Sequence, residues 1–179
     1  MSRAHIQRLH HLGGDRNAQK VLKQMEDYLH SFREERYGTV YYLSKYGRQM
    51  IGSTKRVRRT LQVIHTLMRN DFFFYMNCPA YWKNEMKVSV GEKIKVVPDA
   101  VFRSNQRYQF LEIDNTQTMA DNKLKIDRYK EMFQTGMFQK QFGYFPTLHI
   151  VTVNQSRVRR FKEMCDGLPS NVYLIDNIR

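Results

Sequence analysis

Residues 98–115, PDAVFRSNQRYQFLEIDN, restrict the fold more than any other stretch of the chain. Pro98-Asp99 stands before one apolar strand, and Glu112-Ile113-Asp114 ends the next. Side chains two apart on a strand share a face, so Glu112 and Asp114 point one way while Leu111 and Ile113 point into the core. If the two strands pair, Asp99 comes alongside them and three carboxylates converge. Converging like charges are costly unless a cation sits among them, and hard divalent metals take oxygen ligands of this kind. Asp99, Glu112 and Asp114 are therefore candidate metal ligands of a phosphodiester-cleaving site. The alternative is a set of solvated strand ends, the usual place of acidic residues at sheet edges.

Charge points to the same class of partner. The formal net charge is +13. Residues 1–70 hold 14 Lys/Arg against 5 Asp/Glu, a net of +9, and residues 71–179 hold 16 against 12, a net of +4. A positive field concentrated in the first two-fifths of the chain attracts polyanions, and counterion release from nucleic acid supplies affinity. No helix pairs a basic face with a broad exposed apolar one, so nucleic acid is favoured over a membrane surface. No apolar run approaches the ~20 residues needed to cross a bilayer. The first residues, MSRAHIQRLHHLGG, lack the apolar centre of a secretory signal. Cys78 and Cys165 stand apart with no metal-binding spacing and read as reduced thiols. A soluble, cytoplasmic protein is expected.

Residues 1–52 read as a winged-helix-like DNA-binding unit. SRAHIQRLHHL places Ile6, Leu9 and Leu12 at helical spacing, and Gly13-Gly14 stops it. DRNAQKVLKQMEDYL follows with a stripe of Ala18, Val21, Leu22, Met25 and Leu29, and Asp15 as its N-cap. Two helices joined by a glycine-containing turn fit the helix-turn-helix pattern. LHSFREE and TVYYLS then predict a hairpin turning at Gly38, and KYGRQMIG closes the unit. The second helix offers Arg16, Asn17, Gln19, Lys20 and Lys23 to solvent. Asn, Gln and Arg reach base edges, whereas Lys more often meets phosphate. A polar face with no partner is the competing reading. Arg33, Arg36 and Tyr37 of the wing are expected against the DNA backbone or minor groove.

Residues 53–179 read as a second domain. STKRVRR is a basic joint in which Arg56, Arg58 and Arg59 are further candidate DNA contacts. A helix with Val57, Leu61, Ile64 and Met68 inward follows. DFFFYMNC, KIKVVPDAVF and YQFLEIDN predict three strands, and NKLKIDRYKEMF a helix through Leu124, Ile126, Tyr129 and Phe133. TLHIVTV predicts a buried strand, SRVRRFKEMCDGL a helix capped by Ser156, and NVYLIDNI a last strand. The order predicts an α+β domain with a mixed sheet flanked by helices. His65 and His149 lie among apolar residues and read as core histidines, Trp82 as a core anchor, and Glu85 as a solvated loop residue. Gln117 and Tyr129 are placed to meet a metal-bound water or a phosphate. Arg157, Arg159 and Arg160 form a basic face near a helix start, where phosphate contact offsets the unfavourable dipole.

This order of elements resembles the PD-(D/E)xK nuclease superfamily, with Pro98-Asp99 and Glu112-Ile113-Asp114 in its motif positions. RLHHLGGDRNAQKVL, VYYLSKYGRQMIG, PDAVF, FLEIDN and KLKIDRY, in that order, resemble the replication-relaxation family of bacterial plasmids and phages. That resemblance spans nearly the whole chain. It implies a winged helix ahead of a PD-(D/E)xK-like domain and a role in replication and relaxation of the element's DNA. It further implies Mg²⁺ or Mn²⁺ at Asp99, Glu112 and Asp114 if the site is active, and no cofactor otherwise. Besides DNA, a second copy of the chain and the element's replication proteins are the partners it suggests.

Two departures qualify this resemblance. The superfamily's catalytic lysine falls at position 114, where this chain has Asp114. Such a lysine stabilises charge on the attacked phosphate or orients water. Lys123 or Lys125, on the following helix, can take its place, and Asp114 can add a metal ligand instead. A winged helix also has another helix before SRAHIQRL, so an internal start, a truncation or completion by a partner chain is expected. Two main functions remain open at this point. One is a DNA-binding protein that nicks DNA with metal, and the other is a replication or transcription regulator with a degenerate nuclease fold. A protein-interaction module in a replication complex is a third.

Overall fold

The computed structural model describes residues 1–57, 60–91 and 94–179. These residues form two compact units, Met1–Asn70 and Asp71–Arg179. The candidate DNA contacts Arg58 and Arg59 lie outside the described residues.

In the first unit, helix α1 (Arg3–Leu9) starts with a reciprocal cap. The Ser2 Oγ accepts from the His5 N–H at 3.2 Å, and the Ser2 N–H donates to His5 Nδ1 at 3.4 Å. The cap turns His5 inward, while Leu9 is 38% exposed, so the expected Ile6–Leu9–Leu12 stripe is not the buried one. Helix α2 (Asp15–Gln24) buries Ala18 and Leu22. Its N-cap is Gly14 rather than Asp15, with no side-chain cap bond. Asp15 sits in the first turn instead, where its charge meets the positive end of the helix dipole, and it pairs with Arg3 at 3.1 Å. The helix also stops sooner than its apolar stripe predicts: Met25 is exposed, and Leu29 opens a strand.

Strands β1 (Leu29–Glu34) and β2 (Gly38–Leu43) form the expected antiparallel hairpin, with Phe32 opposite Val40. Gly38 has φ +67°, a conformation that costs an L side chain. Helix α3 (Lys45–Met50) is capped by Ser44, whose Oγ accepts from the Gly47 N–H at 3.0 Å. A Cβ at Gly47 would strike the carbonyl oxygen of Tyr28, so only glycine lets the two backbones approach. The core of this unit joins Tyr37 and Val40 to Val63 and Leu67 of helix α4 (Leu61–Tyr75), with Phe32 and Ile64 packed against them. Val57, expected on the same helix face, precedes the helix and is 41% exposed.

The second unit departs from expectation at its start. DFFFY, read as a strand, is the last part of α4. A short apolar run does not separate helix from strand by its periodicity. Packing decides here: Phe72 and Tyr75, three apart on a helix, both meet the Tyr173 ring, at 5.5 and 5.6 Å between centroids. The main sheet has the order β3 (Trp82–Asn84), β6 (Ala100–Ser104), β7 (Arg107–Asp114), β8 (Thr147–Thr152) and β9 (Ser170–Leu174). The first three run antiparallel and the last three parallel, the expected mixed sheet. Strands β4 (Val88–Val90) and β5 (Ile94–Val96) pair antiparallel in a separate two-stranded sheet. Helices α5 (Met119–Gln134), α6 (Met137–Phe142) and α7 (Gln155–Met164) link the parallel strands.

Both faces of this sheet are covered. One carries Val101, Phe110, Leu148 and Ile150 against Ile126, Tyr129 and Met132 of α5 and Phe161 of α7. On the other, Phe72 meets Phe102 and His149, and Phe73 meets Trp82 edge-on at 5.1 Å. Leu124, expected inward on α5, is 63% exposed, and Asn122 takes a buried place on that helix. Asn154, not Ser156, caps α7 through a bond from the Arg157 N–H. Among the described residues, no helix is long and apolar enough to cross a membrane.

Candidate functional site

The β6–β7 register sets Ala100 opposite Leu111 and so brings Asp99 to the level of Glu112. The Asp99 Oδ2 accepts from the Ile113 N–H at 2.7 Å, which fixes this carboxylate against β7. Glu112 and Asp114 share a face, as strand period requires. That face is not open to solvent: Glu112 is 5% and Asp114 2% exposed. They continue the row of Phe110 and lie at the edge of the core beneath α5 and α7. A buried charge must be paired and hydrogen-bonded, and each carboxylate has its own partners.

Asp114 is held by a guanidinium fork. Arg157 Nε donates to its Oδ2 at 2.5 Å and Nη2 to its Oδ1 at 2.6 Å. Asn122 Nδ2 adds a bond to Oδ1 at 2.8 Å, and the Thr152 hydroxyl one to Oδ2 at 2.6 Å. Arg157 also donates to the Gln117 carbonyl at 2.6 Å. The fork to Asp114 holds the guanidinium pKa above its usual value. Arg157 is therefore committed to an internal carboxylate rather than to the solvent-facing basic surface that its position on α7 suggests.

Glu112 accepts from Lys125 Nζ at 2.7 Å and from the Tyr129 hydroxyl at 2.6 Å. Burial raises its pKa to about 8 against the opposing pull of Lys125, and Asp99 adds to the rise. Burial alone would lower the Lys125 ammonium, but Glu112, Asp99 and Asp114 together outweigh it and move it up. Tyr129 is fully buried, and burial followed by the Glu112 charge drives its hydroxyl well above the ordinary value. It is a support for Glu112, out of reach of a phosphate in solution. A shallow recess lined by Glu112, Asp114, Gln117, Asn122 and Lys125 opens beside these groups.

Of the two lysines expected to replace a catalytic lysine, the fold brings in one. Lys125 reaches Glu112, whereas Lys123 lies on the exposed side and pairs with Asp127 at 2.6 Å. Glu85 donates its N–H to the Asp99 carbonyl at 3.2 Å and remains exposed. Nothing in the sequence singles out Arg157, Asn122 and Thr152 as partners of Asp114. Asn122 and Lys125 lie three apart on α5, and Tyr129 four further on, a helical spacing that does point them to one face.

Asp114 receives four hydrogen bonds, two of them from the Arg157 guanidinium, and its oxygens are taken up within the chain. Among the described residues, no group of three or more His, Cys, Asp or Glu side chains is arranged to hold a metal ion.

Most of the candidate DNA contacts described in the first unit are on its surface. Arg16, Asn17, Gln19, Lys20 and Lys23 are all exposed on α2, opposite the buried Ala18 and Leu22. Asn17 Nδ2 donates to the Leu12 carbonyl at 2.7 Å and closes the turn between the helices. Arg33, Arg36 and Arg56 are exposed. Tyr37, expected on the wing surface, is instead 8% exposed and belongs to the core, because Val63 and Leu67 pack with it; its N–H donates to Glu34 Oε2.

A family model described as Replication-relaxation matches residues 1–148, a span that includes α2, Asp99, Glu112, Asp114 and Lys125. Neither a curated protein nor a solved structure matches the chain. The matched span covers most of the 179 residues, and the chain belongs to the replication-relaxation family.

Proposed function

We propose that this chain is a DNA-binding protein of a plasmid or phage, acting in replication or relaxation of the element's DNA, and that its second unit binds without cutting. In this reading the first unit is winged-helix-like. Helix α2 docks the duplex with Arg16, Gln19, Lys20 and Lys23, and the β1–β2 hairpin serves as the wing. The second unit is a PD-(D/E)xK-like fold whose carboxylates have turned inward. One observation carries the reading against cleavage: the Arg157 fork closes Asp114, the residue at the superfamily's lysine position. The guanidinium neutralises Asp114 from within the chain. Regulation or loading of replication proteins, in the cytoplasm of a host cell and with a second copy as a candidate partner, suits such a platform.

The bond of Lys125 to Glu112 beside Asp99 favours a second reading, nicking, since a lysine there matches the superfamily's use of the following helix.

Supercoiled plasmid separates the two readings. Incubation with the purified protein, with and without Mg²⁺ or Mn²⁺, should give a mobility shift that is independent of metal and no open-circular product. Neutralising Arg16, Lys20 and Lys23 should weaken binding and lower the salt slope by about 0.9 for each phosphate that the protein no longer neutralises. Metal-dependent open circles that vanish in Asp99→Ala/Glu112→Ala would instead establish the nickase.

A further inference from the structure

At the end of β7 remote from Asp114, about 23 Å away at ~3.3 Å per residue, arginines and aromatic rings are interleaved on an exposed surface. The β6–β7 hairpin turns through Asn105 and Gln106, at φ +48° and +62°. The turn sets Arg103 and Arg107 on either side of the tip. The Arg103 guanidinium carbon lies 5.3 Å from the centre of the Tyr108 ring, and that of Arg107 lies 5.1 Å from the centre of the Tyr144 ring. Both distances are within the range of a cation–π contact.

The rings themselves are fixed. The Tyr108 N–H donates to the Tyr144 hydroxyl at 2.7 Å, and Tyr81 braces Tyr108 edge-on at 5.6 Å. Phe142, 41% exposed, packs on both tyrosines at 5.9 and 6.3 Å. Arg103 is further held by its bond to the Gln106 carbonyl at 3.3 Å. Two exposed guanidinium groups are thus pre-positioned over rings, with their entropy cost already met in the fold. No acidic residue occurs in β6, the turn or β7 before Glu112, and α6 carries Lys140 with no acid.

We propose that this hairpin end is a second nucleic-acid contact, one that takes unpaired bases of a single strand. Guanidinium planes and aromatic rings stack on base faces, and arginine N–H edges meet phosphate. Duplex DNA hides its base faces in the stack, so a face-stacking surface selects single strand over duplex. An apolar protein partner has no use for two arginines of one sign, whereas a polyanion does. The surface rests on the DNA-binding reading above and adds a site and a strand preference to it. For a replication protein, such a surface would hold a strand once the duplex is opened.

The test uses the full chain and fluorescence anisotropy on two probes, an oligo(dT) of about 20 nucleotides and a duplex of the same length. In Arg103→Lys/Arg107→Lys the charge stays and the planar stack is lost. Affinity for oligo(dT) should fall about tenfold, the loss of roughly one stacked base, while duplex affinity changes less than about twofold. Arg16→Ala/Lys20→Ala/Lys23→Ala should do the reverse. Failure of the wild-type protein to bind oligo(dT), or equal losses on both probes in the lysine variant, overturns the inference. If the wild type binds duplex but not oligo(dT), the DNA-binding reading stands and only the hairpin site falls. If it binds neither, both fall.

Discussion

Truncating Arg157 to alanine is the most direct perturbation of the carboxylate network. Asp114 is 2% exposed and Arg157 19%, so the pair is shielded from solvent on the carboxylate side and partly open on the other. Breaking a buried ion pair by removing one partner costs about 3–5 kcal/mol, because the remaining charge stays buried without compensation. Two features place this pair at the lower end. Asn122 and Thr152 still donate to Asp114, and the partial exposure of Arg157 screens part of the attraction. The bond from Arg157 to the Gln117 carbonyl is lost as well. Arg157→Ala should therefore destabilise the second unit by about 3 kcal/mol, roughly a hundredfold in its folding equilibrium. Arg157→Lys, which keeps the charge but not the fork, should cost about half as much.

Urea unfolding read by tryptophan fluorescence measures this directly. Trp82 is the chain's single tryptophan and sits on β3 against Phe73 and Phe102, within the second unit. In the double variant Asp114→Ala/Arg157→Ala the orphaned charge is gone, so its cost should be less than the sum of the singles by about 1–3 kcal/mol. An Arg157→Ala protein within about 0.5 kcal/mol of wild type, or additive single variants, would refute the argument that the fork compensates Asp114.

Two further outcomes follow from the two units. His149 is walled by Phe72, Phe102 and Tyr173, with Nδ1 3.0 Å from the Tyr173 hydroxyl and Nε2 3.2 Å from Gln109 Oε1, and burial lowers its pKa to about 4. The unfolded chain then takes up the proton first, so this contribution is fully present above about pH 6.5 and is lost as pH falls towards 4. It amounts to roughly 3 kcal/mol, and Trp82-monitored unfolding at the two pH values should show a dependence that His149→Phe reduces. In the first unit, Gly47→Ala drives a methyl group into the Tyr28 carbonyl and should destabilise that unit by about 2 kcal/mol or more. Circular dichroism should show this as an earlier unfolding transition.

Much of the site was legible because strand geometry is local. The period of two alone puts Glu112 and Asp114 on one face, and a tight turn at Asn105–Gln106 makes β6 and β7 neighbours, which brings Asp99 to Glu112. The β1–β2 hairpin and the exposed face of α2 were readable for the same reason, from glycine at a turn and from apolar residues at helical spacing. Where local signals were ambiguous or absent, the chain order misled. The run DFFFY has no period of its own and became helix because Phe72 and Tyr75 needed one face against Tyr173. Tyr37 reads as a surface wing residue until Val63 and Leu67, from far along the chain, cover it.

The decisive ion pair was the least legible. Arg157 follows Asp114 by 43 positions, and only parallel pairing of β7 with β8, which sets Asp114 beside Thr152, returns the start of α7 to that carboxylate. Sequence by itself determined that three acidic residues would gather at the end of an antiparallel pair, in a chain whose basic charge is concentrated at its other end. Tertiary structure alone decided that two of those acids would be buried and internally paired. Face and spacing follow from backbone geometry within a few residues, whereas the partner of a buried charge depends on which distant strand lies alongside.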